Sequence, residues 1–128
     1  MRPLTNRPRV LVVDDAPAVA ERLREWLQDE VDGDIVGPAL SGSEGLELFR
    51  AFAPDIALVD LRMPGLDGLG LLRAIRESGQ PCTVVILTNQ AEPALRDECL
   101  AQGADHFLRK SHDLDRIVEI VRAHREGG

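Results

Sequence analysis

Short stretches that are apolar on both faces recur along this chain, and segments with helical period lie between them. The stretches are Val10 to Val13, Ile56 to Val59, Val84 to Leu87 and the briefer Phe107-Leu108, with a weaker one at Ile35-Val36. A strand with one face in water alternates apolar and polar residues. One that is apolar at successive positions must be covered on both sides, the condition of a buried parallel sheet. The intervening segments carry single apolar stripes: Val19, Leu23, Trp26 and Leu27; Gly45, Leu48, Phe49 and Phe52; Leu114, Ile117, Val118 and Val121. Local signals agree with these boundaries. Ser41-Gly42-Ser43-Glu44 has the form of a capping box, and Asp67 can cap the helix that carries Leu71, Leu72 and Ile75. Gly79 and Gly103 stand where helices should stop, while Pro17, Pro64 and Pro93 suit loops or first turns. Five βα units in succession predict an α/β fold, a doubly wound five-stranded parallel sheet with helices on both faces.

At 128 residues, 44% hydrophobic and 29% charged, the chain has the size and composition of one domain with its own core. The expected division is an N-terminal extension over 1–8, the domain over 9–125, and a tail or the start of a linker over 126–128. No apolar run approaches the ~20 residues of a membrane span. The first residues lack a hydrophobic signal segment, so a cytoplasmic location with no membrane contact is expected. The formal charge is −7, with no block of Lys or Arg, which argues against direct nucleic-acid binding by this domain alone. Cys82 and Cys99 fit no metal spacing and no Cys-x-x-Cys motif, and read as core thiols.

In open α/β sheets, ligands bind beyond the carboxyl ends of the strands. Asp14 and Asp15 follow the first apolar run, Asp60 the one ending at Val59, Thr88 the one ending at Leu87, and Arg109-Lys110 the last. Singly, these are ordinary residues: turn formers, a strand threonine, a solvated lysine. Jointly they bring three carboxylates, a hydroxyl and an ammonium to one edge of one sheet. Adjacent strands lie ~4.8 Å apart, so the carboxylates would approach within ~6 Å and repel by roughly 3 kcal/mol per pair at an effective dielectric near 20. A hard divalent cation relieves that repulsion. An oxygen-only donor set points to Mg²⁺, with Lys110 and Thr88 placed to meet phosphoryl oxygens.

Four segments then resemble the signatures of response-regulator receiver domains of two-component signal transduction. They are Leu11-Val12-Val13-Asp14-Asp15, Leu58-Val59-Asp60-Leu61-Arg62-Met63-Pro64-Gly65, Ile86-Leu87-Thr88 and Gly103-Ala104-Asp105-His106-Phe107-Leu108-Arg109-Lys110. The resemblance runs from about residue 9 to 123, in the family's order and spacing. It implies a flavodoxin-like sheet of order 2-1-3-4-5. It makes Asp60 the nucleophile that takes a phosphoryl group from a phosphohistidine on a sensor histidine kinase or phosphotransfer protein. Asp15, Asp60 and the backbone carbonyl of Arg62 would bind Mg²⁺ directly, with Asp14 assisting through water. Lys110 would pair with Asp60 and then with the phosphoryl group. Thr88 and Phe107 match the family's switch pair, and Arg62, Asn89 and Gln90 match positions that flank the phosphoryl site. A homodimer through the fourth helix, fifth strand and fifth helix is also implied. So is a protein that catalyses only its own phosphoryl transfer and dephosphorylation, and not turnover of a free substrate.

One departure from the family stands beside the lysine. Ser111 follows Lys110 where most relatives have proline, and a cis Lys110–Ser111 bond would cost ~3 kcal/mol or more, so a trans bond or a rearranged loop is expected. His106, His112 and His124 read as solvated. Three rivals remain open. A Mg²⁺-dependent aspartyl-phosphate phosphatase usually has a second acid two residues after its nucleophile, where this chain has Arg62. A flavin-binding protein would need a phosphate loop after the first strand and more than 3% aromatics. A degenerate receiver acting only as a binding module would lack some of Asp14, Asp15, Asp60, Thr88 and Lys110. Whether the chain stands alone or precedes a DNA-binding domain is likewise open.

Overall fold

Helices cover a parallel sheet on both faces. The computed structural model describes residues 7–31, 33–89 and 93–127, with side chains described as far as His124. The elements run β1 (Arg9–Val13), α1 (Pro17–Glu30), β2 (Asp34–Ala39), α2 (Gly42–Phe52), β3 (Ile56–Asp60), α3 (Gly68–Glu77), β4 (Thr83–Thr88), α4 (Pro93–Ala101), β5 (His106–Arg109) and α5 (Leu114–Gly127). The strands are ordered β2-β1-β3-β4-β5 and all pair in parallel, the predicted topology.

Alternate residues of each strand enter different layers. Leu11, Val13, Ala57, Val59, Val84 and Ile86 pack with Phe49, Leu71, Leu72, Ile75 and Cys99, so α2, α3 and α4 cover one face. Val10, Val12, Ile56, Leu58, Val85, Leu87 and Leu108 pack with Leu23, Leu27, Ile117, Val118 and Val121, placing α1 and α5 on the other. Both thiols are buried and free.

Most of the predicted boundaries hold. Asp67 accepts from the Gly70 N–H at 2.8 Å, and Gly79 and Gly103 take φ of 76° and 110° after α3 and α4, a region costly for residues with a Cβ. Three expectations need correction. Ser41 Oγ accepts from the Glu44 N–H as a capping box requires, but Glu44 Oε1 returns to the Leu40 N–H, one residue before the cap. Val19 and Phe52, placed on buried stripes, are 40% and 45% exposed. Ala20 takes Val19's place in the buried stripe of α1, and Phe52 is the last residue of α2, one turn beyond the buried Phe49. Finally, α5 continues to Gly127 through residues expected to begin a tail, and His124 comes within 3.5 Å of Asp55.

Candidate functional site

The carboxyl ends of β1, β3, β4 and β5 open on a cleft of about 330 Å³ lined by Asp14, Asp15, Ala16, Val19, Asp60, Arg62, Thr88, Asn89 and Lys110. Strand register brings these residues together. Val13 pairs with Val59, Asp60 with Leu87 and Thr88 with Arg109, and the Lys110 N–H continues the last ladder by donating to the Thr88 carbonyl at 2.8 Å. One oxygen from each of Asp14, Asp15 and Asp60 lies within 4.8 Å of the other two. Asp14 and Asp60 are buried, at 1% and 7% exposure, and Asp15 is open to solvent.

The ammonium of Lys110 donates to Asp14 Oδ2 at 2.6 Å and stands 3.2 Å from Asp60 Oδ1. The other Asp14 oxygen accepts from the Ala16 N–H at 3.0 Å. Burial pushes the Asp60 carboxyl above its ordinary range, and the charge of Asp14 adds to that push. The Lys110 ammonium and a hydrogen bond from the Arg62 backbone oppose it. Burial works to lower Lys110, but its bond to Asp14 and the charges of Asp14 and Asp60 outweigh that and hold the ammonium above its ordinary value. Lys110 brings one positive charge to three carboxylates. The remaining negative charge, in an all-oxygen set open on the Asp15 side, fits a hard cation such as Mg²⁺.

The Lys110–Ser111 bond is trans, as the missing proline predicted; the cis bond of the described chain is Gly37–Pro38. Asp113, which sequence reasoning passed over, organises the loop that proline would have shaped. Its Oδ2 accepts from the Arg109 N–H at 2.9 Å, while its own N–H donates to the Arg109 carbonyl at 3.0 Å. The bond from Arg109 holds the Asp113 carboxyl below its usual range. An Asp directly before a helical stripe was the available signal, the same one that identified Asp67.

Thr88 is 4% exposed at the floor of the cleft. Phe107 lies beyond the lining residues, half-buried against the layer under α2, α3 and α4; the next residue, Leu108, packs on the opposite face. Arg62 and Asn89 line the cleft, and Gln90 lies outside the described residues. A larger cleft of about 590 Å³ at the opposite end of the sheet involves Arg7, Glu30 and Arg122, but Arg7 and Arg122 donate there to backbone carbonyls. Among the described residues, no helix is long and apolar enough to cross a membrane.

Comparison with known proteins is consistent with this geometry. Residues 10–122 match the family model described as the response regulator receiver domain. The chain is 38% identical over 119 residues to the "Probable transcriptional regulatory protein NarL" of Mycobacterium tuberculosis, covering 93% of this chain and 55% of that protein. It is 37% identical over 115 residues to the "Response regulator MprA" of Mycolicibacterium vanbaalenii, covering 90% of this chain and 49% of that one. Among solved structures, the signal receiver domain of NarL from Mycobacterium tuberculosis superposes with a TM-score of 0.86 at 37% identity, covering 95% of this chain and 98% of that one. The chain spans about half the length of the curated relatives it matches.

Proposed function

The chain belongs to the response regulator receiver domain family, and from that membership we propose that it is a phosphoacceptor switch in which Asp60 takes a phosphoryl group from the phosphohistidine of a sensor kinase or phosphotransfer protein. The observation that carries this reading is the convergence at Asp60: a strand-end carboxylate with Lys110 at 3.2 Å and two further carboxylates within 4.8 Å.

In the proposed step, an Asp60 oxygen forms the new P–O bond as the donor's P–N bond breaks, and the electron pair leaves on the imidazole nitrogen. Transfer of this kind passes through a loose in-line transition state with charge on the equatorial oxygens, so positioning and electrostatics do most of the work. Lys110 is held beside the nucleophile by Asp14 and has only to turn its donors from carboxylate to phosphoryl oxygens. Thr88 offers a hydroxyl from the floor of the cleft. Asp15 and Asp60, the Arg62 carbonyl and, through water, Asp14 would hold Mg²⁺, which when bound supplies Lewis-acid stabilisation of the phosphoryl charge. The chain so modified catalyses only its own phosphorylation and hydrolysis. Arg62, Asn89 and Gln90 would tune how long the phosphoryl group lasts.

The switch follows from the added charge. The phosphoryl group carries up to two negative charges where the Asp60 carboxylate carried one, and its acceptor oxygens draw Thr88 toward them while the half-buried Phe107 ring turns into the space left behind. The surface of α4, β5 and α5 then changes, and there we place homodimerisation and control of an output, in the cytoplasm. Equal sedimentation with and without a phosphoryl mimic would count against the dimer. A phosphatase with an aspartyl intermediate is not favoured, because Leu61 and Arg62 stand where its second acid would follow.

Intact-mass analysis after incubation with a small phosphodonor and Mg²⁺ tests the whole reading. One phosphoryl group is expected, absent with EDTA and absent in Asp60→Asn. Addition that persists in Asp60→Asn would remove Asp60 from the role.

A further inference from the structure

Two buried glycines open helices beside the site although neither needs a glycine backbone. Gly42 begins α2 and Gly68 begins α3, and neither has a positive φ. The backbone at either position would accept a residue with a Cβ, so the absence of a side chain calls for another reason. The reason is space. A Cβ built on Gly68 would lie 2.5 Å from the Asp60 carbonyl oxygen and 2.8 Å from the Leu61 Cα. One built on Gly42 would lie 1.9 Å from the Leu66 carbonyl oxygen and 2.8 Å from its carbon. These are backbone atoms, which cannot swing aside as the end of a side chain can. Thus α3 stands directly on the last residue of β3, and α2 on the far end of the loop that joins β3 to α3.

That loop is tied elsewhere as well. The Leu61 N–H donates to the Leu87 carbonyl at 2.9 Å, and the Leu61 carbonyl accepts from the Gly68 N–H at 3.0 Å. Arg62 follows, and its backbone reaches the Asp60 carboxylate. We propose that Gly42 and Gly68 are positioning residues: by carrying no side chain they let α2 and α3 clamp the β3–α3 loop, which aims the Asp60 carboxylate and the Arg62 backbone at Asp14 and Asp15. The inference rests on the reading of that cluster as the Mg²⁺ and phosphoryl site. Alanine at either position forces the loop or the helix to shift. Mg²⁺ demands near-ideal octahedral geometry, and a misplacement of ~1 Å can cost ~10²-fold in a reaction that depends on orientation.

Gly45 supplies the control. It is buried on α2 as well, but the nearest atoms a Cβ there would meet belong to the side chains of Val13 and Leu71. The experiment uses the full chain and measures Mg²⁺ binding by calorimetry, thermal unfolding in EDTA, and the phosphorylation rate at saturating Mg²⁺ with acetyl phosphate. Gly42→Ala and Gly68→Ala are expected to weaken Mg²⁺ binding by about tenfold or more and to slow phosphorylation further at saturating metal. Gly45→Ala is expected to lower the Tm and leave Mg²⁺ affinity within about twofold. The clamp is overturned by wild-type Mg²⁺ affinity in folded Gly42→Ala and Gly68→Ala, or by an equal loss in Gly45→Ala. Failure of both to fold overturns it too, because the glycines would then serve the fold alone. Absence of Mg²⁺ binding by the unaltered chain overturns the underlying reading of the site, and the clamp falls with it.

Discussion

Asp60 holds a charge that its surroundings resist. Burial, and then the neighbouring Asp14, raise its carboxyl above the ordinary value despite Lys110 and the Arg62 backbone. The folded state therefore binds that proton more tightly than the unfolded chain does. Stability falls as pH rises from the ordinary carboxylate range through the raised value, and stays lower above it. Asp60→Asn removes this cost while Asp14 still holds Lys110. At pH 7 the variant should therefore be more stable than the wild type, with a higher Tm. Its advantage should fade in acid. Urea unfolding across that pH range checks this, and a variant less stable than wild type at pH 7 refutes it. The identity of Asp60 was legible from its place after an apolar run. Its approach to Asp14 followed from strand spacing, but its burial did not, because that depends on how remote segments pack over the strand ends.

Among the elements, the α4–β5 connection is tied to α3 and to the start of β4 through Arg76. Arg76 of α3 donates to the Gly103 carbonyl at 2.9 Å, the Cys82 carbonyl at 2.7 Å and Asp105 Oδ2 at 2.8 Å, and the same Asp105 oxygen accepts from the Val84 N–H. Removing the guanidinium strands two carbonyls, at about 2 kcal/mol in all. Hydrogen exchange of Arg76→Ala should show protection lost around Gly103 to Asp105 and kept in β1 and β3. Uniform loss would mean that Arg76 supports the whole fold and not this connection. Helical stripes and caps were readable because they are local: Ser41 and Asp67 cap as their spacing required. Arg76 gave no such signal, since its partners lie 6 to 29 residues away.

At the scale of the whole molecule, the two thiols report on opening. Burial pushes the Cys82 thiol up to about 12 and raises Cys99 as well, so neither offers a thiolate near neutrality. Iodoacetamide at pH 8 should label the native chain only as fast as it opens, with both sites reacting at once in urea; labelling of native protein at the free-thiol rate would contradict the packing. The order of residues along the chain determined which groups could meet. Each apolar run commits its segment to the sheet, and a parallel sheet collects at one edge whatever follows each run. That logic reached the parallel α/β class and the five polar groups of the cleft, while the strand order followed from the family resemblance and the trans bond from a serine where relatives have proline. Tertiary packing alone decided how closely they meet: Lys110 leaning onto Asp14 across 96 residues, Val19 left at the rim, Asp113 shaping the loop. Those distances come from side chains of remote segments settling against one another, and local period and composition carry no record of them.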